Sequence, residues 1–293
     1  MRSTILHLRF LFSWFLMPVY FFALAISPNL NGDRLLWSFV IIHLLVYPAS
    51  NGYNSYFDKD EGSIGGLKNP PPVNRLLFVA AWLLDLVAVG LAWWKVNSIF
   101  AVMILLYGLA SKAYSHPAVR LKKYPIAGWL WVAFFQGVFT FVMCYAGINA
   151  LPVENLVQTK VLIPGALASL MLLGTYPMTQ VYQHAEDAKR GDTTISLKLG
   201  VRGTFGLVMG IFSLASVLYA AYFYTFFEWR FAMSFLVALF PVVVFFLIWF
   251  YRVWRKEEVA NYRNTMWLNF LSATCLNGFF FWLFWETSHI NQL

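Results

Sequence analysis

Asn54-Ser55-Tyr56-Phe57-Asp58-Lys59-Asp60-Glu61-Gly62 stands where a long apolar segment gives way to a polar loop. Three acids, an amide and a lysine within so few residues cannot face lipid. The whole chain has only 13 Asp and Glu, so this concentration suggests a cation site. If the stretch is a helix end, Asn54, Asp58 and Glu61 fall at i, i+4 and i+7 and share one face. Asp60 then falls off that face unless the helix has already unwound. A second cluster, Gln183-His184-Ala185-Glu186-Asp187-Ala188-Lys189-Arg190-Gly191-Asp192, closes a later apolar segment in the same way. Gln183 and Asp187 are again four apart, with Glu186 beside them. Carboxylate and amide oxygens suit Mg²⁺, which takes few protein ligands and shares its shell with substrate phosphates.

The rest of the chain is membrane-like. It is 60% apolar, 19% aromatic and only 12% charged, against about 25% charged for soluble domains. Nine stretches are expected to span a bilayer, near 10–27, 35–56, 76–96, 98–115, 125–147, 161–182, 204–227, 231–251 and 265–286. The fold expected is therefore all-α, a polytopic membrane protein of nine transmembrane helices with a cytosol-facing polar cap, and one domain over 1–293. The basic start followed by an apolar run has no small-residue cleavage site before Pro28, so it reads as a first span rather than a signal peptide. Cys144 and Cys275 lie inside apolar runs as small core residues.

Charge placement sets the orientation. Of the 21 Lys and Arg, all but Arg34, Lys95, Lys160 and Arg230 fall in loops on one side of the nine-span alternation. By the positive-inside bias the N-terminus is cytosolic and the C-terminus external. The location expected is an inner or cytoplasmic membrane. The net charge of +8 follows from that bias, and no basic stripe on a soluble domain points to nucleic acid.

A third stretch lies on the same side as the two acidic clusters. Tyr114-Ser115-His116-Pro117-Ala118-Val119-Arg120-Leu121-Lys122-Lys123 offers hydroxyls and cations. Cations beside carboxylates make sense if a polyanion bridges them, with metal on one flank and Arg or Lys on the other.

Together the three stretches resemble the UbiA superfamily of intramembrane prenyltransferases. Asn54 to Asp58 is similar to the family's first Asp-rich element, and Tyr114 to Lys122 to the Tyr-Ser-Pro loop of the branch containing chlorophyll synthase and lycopene elongase. Asp187 to Thr194, running on to Lys198-Leu199-Gly200, resembles its second Asp motif, and Arg9 ahead of Pro18 is also similar. The resemblance implies Mg²⁺-dependent transfer of a prenyl group from a prenyl diphosphate to a lipophilic acceptor within the bilayer. On it, Asn54, Asp58, Glu61, Gln183 and Asp187 are the expected metal ligands, with Asn54, Asp58 and Asp187 central to catalysis. Lys68, Tyr114, Ser115, Arg120, Lys122 and Arg190 are the expected substrate contacts. Two positions depart from the pattern. Gly62 stands where relatives carry a further Asp, which Asp60 or Glu61 would replace, helical spacing favouring Glu61. Gln183 stands where the second motif opens with Asp, so weaker metal binding, or one ion in place of two, is expected.

The alternative from another class is a transporter, or a protein of this fold that binds lipid diphosphate without turnover. Transporters tend to place charge near the midplane, whereas here nearly all of it sits at the membrane faces, most of it at one of them. Asp85 is the intramembrane exception, expected as an interhelical hydrogen bond or a protonated acid. Gln136, Asn269 and Asn277 are expected as helix-to-helix contacts.

Overall fold

The computed structural model describes residues 1–288. Among them are nine helices long and apolar enough to cross a membrane: α1 (Arg2–Ala25), α2 (Gly32–Asp58), α3 (Arg75–Lys95), α4 (Ser98–Ser115), α5 (Pro125–Asn149), α6 (Thr159–Met178), α7 (Ile195–Phe226), α8 (Trp229–Arg255) and α9 (Tyr262–Thr287). Helices suit this chain because a spanning segment must satisfy its backbone polar groups internally. Local sequence sets where they start. Asn31, Asn74, Asn97, Thr194 and Asn261 each accept a backbone N–H of the first turn of α2, α3, α4, α7 and α9, satisfying donors that the helix itself leaves free.

Long-range polar contacts define the two ends of the bundle. At one end Ser3 donates to the Pro72 carbonyl, Thr193 N–H to the Lys123 carbonyl, and Arg202 pairs with Glu257. At the other, Asn29 donates to the Asn149 carbonyl, Asn97 to Ala146, and Arg230 pairs with Glu286. All three polar stretches of the sequence come to the first end.

Three irregularities in the helices shape the space beneath that end. In α1, Arg9 is left-handed (φ 48°, ψ 49°) and splits the span into Arg2–Leu8, a 3₁₀ stretch Phe10–Leu16, and Met17–Ala25. A π-helical segment interrupts α2 at Ile41–Val46. In α5 another covers Ala133–Phe139, with Gly137 at φ −94°, ψ −105°. Such π segments are frequent at functional sites. The freed backbone in α5 is repaired by α6: Ser169 Oγ donates to the Ala133 carbonyl at 2.7 Å and accepts the Val138 N–H at 2.8 Å. In α7, Gly200 (φ 69°) breaks the helix after its first turn.

Asp85 forms an ion pair with Lys112 between α3 and α4. Lys112, expected among the loop cations, is buried inside α4, with Nζ 4.4 Å from the Trp82 ring centre. Asp85 is thus held by charge rather than by neutral hydrogen bonding. Asn277 donates to the Trp14 carbonyl at 3.2 Å, as expected of helix-to-helix contact.

Candidate functional site

The end of α2 decides which acid of the first cluster points inward. The helix stops at Asp58, and Lys59 turns left-handed (φ 50°). Helical spacing therefore no longer applies past Asp58. Asp60 swings inward, its side chain 5% exposed, while Glu61 turns out to 83% exposure and pairs with the exposed Lys189 at 3.2 Å. The expected preference for Glu61 is corrected on this point: Asp60 is the acid that joins Asp58.

The second cluster is not a loop but a short helix, His184–Arg190, ended by left-handed Gly191. Acids occupy its first turn and bases its last, matching the helix dipole. Asp187 is buried on its inner face, where Thr194 Oγ1 donates to it at 3.3 Å. The Tyr-Ser stretch ends α4 and turns through left-handed Arg120 (φ 43°), which brings Lys122 inward.

The three stretches meet. Lys122 Nζ bonds Asp58, and Arg190 bonds Asp60 through Nη1 and Asp187 through Nη2, the latter at 2.9 Å. Ser115 Oγ donates to Asn54 Oδ1 at 2.6 Å. Tyr114 and Tyr176 share a hydroxyl–hydroxyl bond, and Gln180 Nε2 donates to Tyr176 at 3.0 Å. Arg120 grips Asp192 with both ends of its fork, at 2.8 and 2.9 Å. Burial pushes the Asp187 carboxyl up to about 6, against the attraction of Arg190. Burial likewise raises Asp60. The bond to Asp192 holds Arg120 above its ordinary value.

These groups line one end of a cavity of about 320 Å³. Asn54, Asp58, Asp60, Tyr114, Ser115, Lys122, Gln183, Asp187, Arg190 and Asp192 all border it. Its other walls are apolar and aromatic, with Phe12, Phe15, Phe22, Phe135, Tyr219 and Phe280 among them. Phe22 and Phe280 are stacked at 4.6 Å between centroids. Gln136 and Asn269, expected as contacts between helices, also face this space. Arg120 stands behind Asp192 rather than on the lining, and Lys68 is exposed outside it.

Several lining residues carried no assigned role in the sequence. Asp192 was visible in the second cluster, but its pairing with Arg120 crosses 72 positions and has no local signature. Tyr176 and Gln180 sit inside an apolar segment at helical spacing from each other. Arg9 enters the cavity only because the chain is left-handed there; its guanidinium donates to the carbonyls of Gly65 at 3.0 Å and Asn51 at 3.3 Å.

Residues 14–285 match the UbiA prenyltransferase family. The chain belongs to that family. Among solved structures, a UbiA homolog from Archaeoglobus fulgidus bound to DMAPP and Mg²⁺ is similar at TM-score 0.71 and 16% identity, over 98% of this chain and 99% of that one. The same homolog bound to GPP and Mg²⁺ gives 0.67 at 16% identity, over 96% and 99%. A digeranylgeranylglyceryl phosphate synthase gives 0.62 at 14% identity, over 97% and 98%. These likenesses establish a common UbiA fold across nearly the full length. Comparison with curated protein sequences returns no match. As a UbiA family member with nine apolar spans, the chain is an integral membrane protein.

The donor chemistry at the polar end of the cavity suits a hard divalent cation. Its acids and amide offer oxygen only, on two walls of one space. Among the described residues no three His, Cys, Asp or Glu converge closely enough to hold an ion. Lys122 and Arg190 occupy the gaps between the acids, where each neutralises carboxylates that burial makes costly to leave bare.

Proposed function

We propose that this chain transfers a prenyl group from a prenyl diphosphate to a lipophilic acceptor within the membrane, with Mg²⁺ as cofactor. The observation that carries this reading is the two-ended cavity: buried acids and cations at one end, aromatic and aliphatic walls at the other. A diphosphate ester of an isoprenoid has that same polarity. The solved A. fulgidus homolog holds DMAPP or GPP together with Mg²⁺, which supports the assignment.

Asn54, Asp58, Asp60 and Asp187 would hold the metal, with the Gln183 carbonyl as a neutral donor. Bound Mg²⁺ supplies charge neutralisation of the diphosphate and makes it a better leaving group. Lys122 and Arg190 leave their carboxylates for the phosphate oxygens, and the Tyr114 hydroxyl donates from the same wall. The allylic C–O bond breaks and its electron pair departs with the diphosphate. Ring faces of Phe22, Phe135 and Phe280 stabilise the allylic cation and the apolar walls exclude water. The acceptor's nucleophilic atom forms the new bond and loses its proton. The polar end faces the cytosol by the distribution of basic residues.

Purified protein supplied with geranylgeranyl diphosphate, Mg²⁺ and a panel of acceptors tests the proposal. The panel spans quinone-ring precursors, carotenoids, tetrapyrroles and glycerol-phosphate lipids. Acceptor-dependent diphosphate release that stops on metal removal is expected. Binding of the diphosphate with no turnover on any acceptor would instead show a non-enzymatic lipid-diphosphate binder.

A further inference from the structure

Midway along the bundle the cavity wall turns polar again. Tyr47 of α2, Tyr107 of α4 and Gln136 of α5 border the same space as the acids. Each stands near the middle of its span, within Gly32–Asp58, Ser98–Ser115 and Pro125–Asn149. Tyr107 precedes Ser115 by about two helical turns, which puts it roughly 12 Å deeper in the bundle. The rings of Tyr47 and Tyr107 pack edge to face at 6.1 Å between centroids, and both residues are buried. Polar groups at this depth are costly and by default functional.

Bonding between helices does not account for Gln136. Asn149, in the same α5, shows what such bonding looks like in this fold. Its Oδ1 accepts the Asn29 N–H at 3.0 Å, and its Nδ2 donates to Ser27 Oγ at 2.8 Å and to the Tyr145 carbonyl at 2.9 Å. Gln136 has the Tyr107 hydroxyl beside it and no other polar partner among the described residues. An amide carries two donors and two acceptor lone pairs, so most of that capacity is left for the cavity. The backbone converges on the same place. Gln136 lies within the π segment Ala133–Phe139, and Tyr47 directly follows the π segment Ile41–Val46. Two helix irregularities of the kind found at functional sites therefore meet at one polar patch. A prenyl chain forms no hydrogen bonds, so the donor leaves this patch unused, and a polar group left bare in an apolar space is unfavourable.

Resting on the prenyl-transfer reading above, we propose that Gln136 and Tyr107, with Tyr47, select the acceptor. They take one that carries a hydroxyl or carbonyl oxygen about two helical turns away from the atom that is prenylated. The amide and the tyrosine hydroxyls bond that oxygen, and its depth sets the acceptor's nucleophilic atom at the diphosphate end. An acceptor that is hydrocarbon at this point leaves the same groups unpaired and is rejected. None of the three residues touches the reacting atoms; they determine specificity.

The test supplies purified protein with geranylgeranyl diphosphate, Mg²⁺ and acceptors in pairs that differ in one remote oxygen. The pairs are carotenes with and without a hydroxyl, tetrapyrroles with and without a ring ketone, and quinone-ring precursors and glycerol-phosphate lipids with and without a side-chain hydroxyl. The oxygenated member should be prenylated with kcat/KM at least about tenfold above its partner. Tyr107→Phe and Gln136→Met keep the shape of the wall and remove its hydrogen bonds. Each should raise KM for the oxygenated acceptor about tenfold, with KM for geranylgeranyl diphosphate within about twofold of the unsubstituted protein and the melting temperature unchanged. Hydrocarbon members prenylated as well as oxygenated ones, an unchanged acceptor KM in both variants, or a lowered melting temperature with both KM values shifted together overturns this proposal alone. No prenylation of any member by the unsubstituted protein overturns the prenyl-transfer reading, and this proposal with it.

Discussion

Asp60 and Glu61 are neighbours of similar chemistry with opposite fates. One left-handed residue, Lys59, turns Asp60 into the cavity and Glu61 out to solvent. Asp60→Asn should therefore lower turnover at limiting Mg²⁺ by at least about tenfold, through loss of a metal-site charge. Glu61→Gln should stay within about twofold, because exposed pairs such as Glu61–Lys189 contribute little. Steady-state kinetics over a Mg²⁺ series separates the two, and the reverse ranking would contradict the geometry. Asp187 gives a second prediction. Its carboxyl, raised by burial to about 6 from an ordinary 3.8, prefers its proton in the metal-free fold. That preference stabilises the metal-free fold fully below the unfolded value and is lost as pH rises through about 6. Mg²⁺ needs the carboxylate, so metal and proton compete. Apparent Mg²⁺ affinity should fall about tenfold per pH unit below about pH 6 and level off above about pH 7. Calorimetric titration at several pH values reads this directly, and a flat profile between about pH 5 and pH 7 would refute it. The identities of Asn54, Asp58, Asp187, Lys122 and Arg190 were legible in the sequence, because acids and cations at membrane-edge helix ends are conspicuous. The inward turn of Asp60 was not, since it depends on the backbone sign of one lysine. Nor was Asp192, whose partner comes from a different loop.

At the scale of elements, α5 shows how a break is stabilised by its neighbour. Gly137 approaches α6 so closely that a Cβ would stand 2.4 Å from Ser169 Cα and from its Oγ. The same Ser169 hydroxyl satisfies the backbone that the π segment leaves free. Gly137→Ala must push the helices apart and cost about 1–3 kcal/mol. A lowered melting temperature is expected, together with reduced turnover, because Phe135 and Gln136 on the displaced segment line the cavity. Gly210→Ala in α7, where a Cβ meets nothing within 4 Å, is the control and should leave both unchanged. Equal melting temperatures for the two variants would contradict this account of the break. Hydropathy located all nine helices because a bilayer span is mostly a matter of length and apolarity. It was blind to the 3₁₀ and π segments, which keep the same composition and differ only in hydrogen-bond register. The first span began eight residues earlier than 10–27 suggested, since Arg2–Leu8 is polar enough to hide a helix that continues across the Arg9 break.

Taken whole, the molecule separates charge by end. Most of its acids and cations gather at the end that carries Asp58, Lys122 and Asp187, and apolar walls run from there into the bundle. We propose from the positive-inside bias that this end is cytosolic. Single-cysteine variants in a background lacking Cys144 and Cys275 test it, using an impermeant maleimide on intact cells. Lys160→Cys should label from outside and Lys59→Cys only after permeabilisation; both positions are exposed. The opposite pattern would invert the topology and move the diphosphate end to the external face. The central claim is that Asp58 and Asp187, from helix ends far apart in sequence, form one catalytic metal–diphosphate site. It is tested most directly by diphosphate release from geranylgeranyl diphosphate and Mg²⁺, with the acceptor that supports turnover, in Asp58→Ala and Asp187→Ala proteins that remain folded by melting temperature. Each variant is expected to lose at least about 100-fold in turnover; full activity in both would contradict the claim.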